Sequence, residues 1–101
     1  MIEHIVMIKL SDSYNPETKL EKAKKLKILL DNLPGKIEEI MSYEVGLNIS
    51  TSPNANDLVL VSSFKSLETL EIYRVNKEHQ KVVSKIKEYA SSTTVVDYEK
   101  R

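Results

Sequence analysis

The sequence predicts one α+β domain with elements in the order β-α-β-β-α-β, whose sheet is covered by helices on one face only. Three observations carry this prediction. Residues 2–10 and 58–64 are apolar on both faces, two long stretches carry apolar residues at spacings of three and four, and the turn and cap residues fall between these segments rather than inside them.

The first segment alternates, with Ile2, His4, Val6, Ile8 and Leu10 on one side and Glu3, Ile5, Met7 and Lys9 on the other. It is β-branched-rich and reads as a strand. Asn15-Pro16-Glu17 then supplies a capping side chain, a preset φ and an acid at the positive end of a helix dipole. The helix begun there places Leu20, Ala23, Leu26, Leu30 and Leu33 on one stripe until Pro34-Gly35 stops it, and a further half-turn is expected through Ile37 and Ile40. Tyr43, Val45, Leu47 and Ile49 alternate with polar residues or glycine, as in a strand that buries one face. The turn chemistry of residues 51–57 joins it to Leu58-Val59-Leu60-Val61 and Phe64, which makes a hairpin. Ser66 caps a short helix through Leu67, Leu70 and Tyr73, and Asn76 caps a second carrying His79, Val82, Val83, Ile86 and Ala90, either as two helices or as one with a break. Thr93 to Tyr98 closes the order as a fourth strand.

Two β-α-β units joined in this way form the split arrangement of ferredoxin-like folds, a four-stranded antiparallel sheet with its first and third strands central. The pattern agrees, because those are the two strands apolar on both sides. Helices cover one face, which leaves Ile5, Met7, Val59, Val61 and Val96 on the other. Such a patch is larger than a monomer usually keeps wet. Burying about 300–600 Å² of it per subunit is worth several kcal/mol at roughly 25 cal/mol per Å², before association costs. A homodimer formed sheet against sheet is therefore expected.

Composition removes several functions. At 101 residues, 41% hydrophobic and 30% charged, the chain has room for one core spanning residues 1–101. Its 15 basic and 15 acidic residues leave no global positive field for nucleic acid or anionic membranes. RNA recognition motifs share this strand order, but they need exposed aromatics on the central strands, where this chain has Ile5, Met7, Val59 and Val61. The absence of cysteine excludes disulfides and thiolate chemistry. No apolar run is long enough to span a bilayer, so the expected location is the cytoplasm, with no membrane partner. Two histidines without an acidic residue at a recognisable spacing make a poor metal site, and no glycine-rich phosphate loop occurs, so neither metal nor cofactor is expected.

His4 to Lys9, Val45-Gly46, Asp57 to Val61 through Phe64, Leu67-Glu68, Leu70 to Tyr73, Glu78-His79 and Val96-Asp97-Tyr98 together resemble the stress-responsive A/B barrel domain family over almost the whole chain. The resemblance implies a homodimer whose two sheets form an α/β barrel, with a pocket between sheet and helices in each subunit. Most members of the family have no assigned reaction, and a plant member is a polyketide cyclase that performs an intramolecular aldol-type ring closure without cofactor, using a His and a Tyr in that pocket. The matching positions are His79, Tyr73 and, for a further pocket histidine, His4. Two positions depart from the family: Asn76-Lys77-Glu78-His79 lacks the His-Pro of the usual His-Pro-x-His, and Leu58 stands where the cyclase has another histidine.

The site expected from these residues has His79 as base and Tyr73 as donor, lined by His4, Val6, Leu58, Leu60 and Val83. A neutral imidazole facing a pocket can take an acidic proton near pH 7 once a partner fixes its tautomer. A phenol beside it can donate to a substrate carbonyl and stabilise the enolate. The competing reading of each is structural: a core or interface histidine with its hydrogen bonds satisfied, and a core tyrosine with its hydroxyl at the rim. The two functions that follow are a small-molecule protein acting on an apolar or polyketide-like ligand, and a non-catalytic dimer for ligand sensing, stress response or partner binding. The lysine-rich stretch from Lys19 to Lys27 reads as a solvated helix face.

Overall fold

The computed structural model describes residues 1–101, and its elements run β1 (Ile2–Leu10), α1 (Pro16–Asp31), β2 (Ile40–Leu47), β3 (Leu58–Phe64), α2 (Leu67–Val75), α3 (Lys77–Tyr89) and β4 (Ala90–Glu99). The strands form one antiparallel sheet in the order β2-β3-β1-β4. The two strands apolar on both faces are thus the central pair. No helix is long and apolar enough to cross a membrane.

Local chemistry sets the helix ends. Asn15 Oδ1 accepts from the Thr18 N–H at 2.8 Å, with Pro16 at the first helical position. Ser66 and Thr69 exchange side-chain and backbone bonds in a capping box at the start of α2. Asn76 is extended and separates α2 from α3, so the segment is two helices. α1 buries Ala23, Leu26 and Leu30, with Leu33 just beyond its end, while Leu20 is exposed. At 3.6 residues per turn Leu20 lies about 100° round the helix from the centre of that stripe.

Three boundaries differ from the sequence reading. Residues 33–39 form turns rather than a helical half-turn, although Ile37 is buried. β2 begins at Ile40 and ends at Leu47, so Ile49 is outside the sheet and 98% exposed. After the Asn48 N–H pairs with the Asp57 carbonyl, the Asn48 side chain accepts from the Ser50 N–H and turns the chain away. β4 starts at Ala90 rather than Thr93, because Ala90 already pairs with Leu10 and no loop separates it from α3.

The core lies between helices and sheet, around Ile8, Leu26, Leu30, Leu60, Phe64 and Tyr73. Register fixes the two faces. His4 stands opposite Ser62 and Asp97, and Ile5 opposite Val61 and Val96. His4, Val6 and Ile8 look toward the helices, while Ile5, Met7, Val59, Val61 and Val96 share the uncovered face. On that face Glu3 is only 7% exposed, and its Oε2 has no hydrogen-bond partner.

Candidate functional site

A cavity of about 370 Å³ opens between the helices and the β1–β4 side of the sheet. β1 contributes His4, Val6 and Ile8 to its wall, β3 contributes Leu60, and α3 contributes His79, Val83 and Ile86. β4 supplies Thr93, Val95 and Asp97, all exposed, so the mouth lies on this side. Of the residues expected to line the site, Leu58 alone is absent. It pairs with Ile8 but sits on β3, on the side of β1 away from the opening, and is closed into the core.

His79 owes its setting to the break at Asn76. In a continuous helix the Glu78 N–H would bond the Arg74 carbonyl, but here Asn76 Oδ1 takes that N–H at 2.8 Å. The Arg74 carbonyl accepts from Gln80 Nε2, and it also lies 3.1 Å from His79 Nδ1 and accepts its proton. That bond selects the Nδ1–H tautomer and leaves Nε2 with a lone pair. Burial is the main cause that holds the His79 pKa below its ordinary 6.5, and the charges of His4 and Arg74 add to it against the carbonyl bond. The ring is therefore a neutral acceptor at pH 7.

Tyr73 is fully buried in the cavity wall. Its ring centroid lies 4.1 Å from that of His79 and 4.9 Å from that of Phe64, and the His4 ring meets it edge-on at 6.1 Å. Its hydroxyl lies 2.8 Å from the Tyr43 hydroxyl on β2. Burial pushes the Tyr73 pKa up to about 12 and drives that of Tyr43 higher still, so both phenols are protonated. A hydroxyl both accepts and donates, so with Tyr43 as donor Tyr73 keeps a proton to offer.

His4 has an acidic partner that spacing did not reveal. Its Nδ1 is hydrogen-bonded to Asp97 Oδ1, from a residue 93 positions away in sequence and directly opposite on β4. The antiparallel pairing of β1 with β4 was the one signal that could have found it. The cavity thus holds two imidazoles, each anchored through Nδ1, one on a carbonyl and one on a carboxylate. Nowhere do three or more acidic, histidine or cysteine side chains converge as a metal site would require.

The profile of the family described as stress responsive A/B barrel domain matches residues 2–100. Among solved structures, a dimeric ferredoxin-like protein of unknown function from Bacteroides fragilis is 34% identical, with 97% of this chain and 94% of that one covered and a TM-score of 0.89. A dimeric ferredoxin-like protein of unknown function from Thermobifida fusca is 18% identical, with 96% and 88% covered and a TM-score of 0.81. A hydroxynitrile lyase from Passiflora edulis is 12% identical, with 96% and 90% covered and a TM-score of 0.79. The last two likenesses concern the fold. No curated protein matches the sequence.

Proposed function

The chain belongs to the stress responsive A/B barrel domain family, and from that premise we propose that it is a homodimer that binds a small apolar molecule and acts on it as a cofactor-free lyase or cyclase. One observation carries the catalytic part: His79 is a neutral imidazole with its tautomer fixed and its Nε2 free, in the wall of a largely apolar cavity. In this reading Nε2 takes a proton from a carbon or hydroxyl of the substrate. Tyr73 stabilises the oxyanion that develops, with Tyr43 as its own donor. His4, oriented by Asp97, holds the far side of the reacting group.

The dimer is supported by the dimeric relatives and by the uncovered face. A second copy against Ile5, Met7, Val59, Val61 and Val96 would remove that face from water and could bring a donor to the orphaned oxygen of Glu3.

The test is turnover of mandelonitrile, as a lyase probe, and of a linear triketo acid, as a cyclase probe. Wild type is expected to convert one of them, and His79→Gln to lower kcat by about 100-fold, the low end for a general base. Equal rates in both proteins would refute the role of His79. The full burial of Tyr73 and the engagement of its hydroxyl by Tyr43 favour a second reading, a ligand-sensing dimer without catalysis. In that case ligands bind, neither probe turns over, and His79→Gln changes affinity alone.

A further inference from the structure

We propose that a second copy of the chain completes the ligand site: it lies along the free edge of β4 and forms the outer rim of the cavity, so that the dimer and not one chain holds the ligand. This rests on the proposed binding role and adds the second subunit's part in it. β4 lines the cavity and yet is open on every side but one. Nine of its ten residues are exposed, and Ala90 is half-buried. Thr93, Val95 and Asp97 face the cavity beside Ile8, Val6 and His4, while Thr94, Val96 and Tyr98 turn to the uncovered face beside Met7, Ile5 and Glu3. Val95 and Val96 are neighbours on opposite sides of the strand, and they are 53% and 50% exposed. A sheet laid flat on the face of Ile5 and Val61 would cover Val96 and leave Val95 wet. A subunit that also reaches round the edge covers both.

The edge itself is unguarded. Past the irregularity at Lys9 and Leu10, β4 pairs with β1 in unbroken register from Ser92 to Glu99, and it is the last strand of the sheet. Alternate residues therefore point their N–H and C=O groups outward. Residues 90–98 contain no lysine or proline, the residues that keep an exposed edge from pairing, and their one acid, Asp97, is engaged by His4. The opposite edge strand, β2, is guarded, because Lys27 of α1 reaches the Val45 carbonyl at 3.0 Å. The free edge of β4 adjoins the face that a second copy is proposed to cover, since Val96 and Tyr98 belong to both, and a relative 34% identical is dimeric. That continuity identifies the occupant as the same second copy. A strand paired there would lie about 4.8 Å beyond β4 and set its own row of side chains next to Thr93, Val95 and Asp97.

The experiment has two arms, both on the full chain. In the first, amide hydrogen exchange is followed by NMR along β4 in wild type and in Val61→Glu, a substitution on the uncovered face that separates the subunits without lining the cavity. Amides that point toward β1 should be protected in both proteins. The alternate, outward set should be protected in wild type and lose that protection in the variant. In the second arm octanol, a neutral apolar probe, is titrated into both proteins by calorimetry. Wild type should bind it about tenfold more tightly, the worth of roughly two buried methylene groups. Ile5→Lys, on the same face, replaces Val61→Glu if circular dichroism shows that variant unfolded. Outward β4 amides that exchange freely in the wild-type dimer would overturn the inference, and so would equal octanol affinities of wild type and variant. A wild type that bound no octanol would refute the binding role and the inference with it, while the exchange arm would still report a strand at the edge.

Discussion

His79 takes its protonation state from its surroundings, and that state has a consequence for stability. The unfolded chain carries a histidine with a pKa of about 6.5, and burial lowers the folded value. Between the two values the unfolded state binds more protons, so stability rises with pH across that window. The contribution of His79 is complete above about 6.5 and is lost as pH falls through the folded pKa. Urea denaturation of wild type should therefore show stability falling from pH 7.5 toward 5. His79→Gln should flatten that slope, and an unchanged slope would mean the ring is not held neutral by the fold. The residues of the site were unevenly legible. His79, Tyr73 and His4 could be named as candidates through the family resemblance, which rests on the order and spacing of residues along one chain. Asp97 could not, because its meaning comes only from standing opposite His4 across the sheet.

Asn76 shows how a cap becomes part of a site. Its side chain does the ordinary work of an N-cap for α3, and in doing so it withholds from Arg74 the N–H that would otherwise occupy the carbonyl. Asn76→Ala is expected to lower stability by about 1 kcal/mol in urea denaturation. It should also let the Glu78 N–H compete with His79 for the Arg74 carbonyl. Because that carbonyl bond raises the His79 pKa against the other influences, weakening it should lower the pKa further, as NMR titration of the ring would show. An unshifted pKa would mean that the break between α2 and α3 is maintained without the cap. Helix starts were legible in the sequence for the same reason that they form, since Asn15, Ser66 and Asn76 act within three residues of themselves. Strand ends were less so. β2 stops before Ile49 because, past the pairing of Asn48 with the distant Asp57, the Asn48 side chain accepts from the Ser50 N–H and turns the chain away, and β4 begins at Ala90 because Leu10 pairs with it. Neither pairing leaves a trace in local spacing.

The two faces of the sheet divide the molecule's tasks, and this division was readable in the sequence, since a central strand with apolar residues on both faces has to be covered from both sides. The helices cover His4, Val6, Ile8 and Leu60, and they leave a hollow where β4 runs past their reach. Nothing within the chain covers the other face, where Met7 and Val96 are 37% and 50% exposed. Val61 is the sharpest point at which to test what does. It is paired with Ile5 in the centre of that face and points away from the cavity. Glutamate there should be tolerated by the isolated subunit, in which the carboxylate reaches water. In a sheet-to-sheet dimer it would be buried without a partner, at a cost of about 3 kcal/mol or more and so a dissociation constant raised at least about 100-fold. Light scattering at micromolar concentration should give the mass of two chains for wild type and of one chain for Val61→Glu, with the far-ultraviolet circular dichroism of the two proteins the same. Because association stabilises the folded state by mass action, the melting temperature of wild type should rise with concentration while that of the variant stays fixed. A variant that remains dimeric would place the interface elsewhere, with the exposed free edge of β4 the next surface to probe.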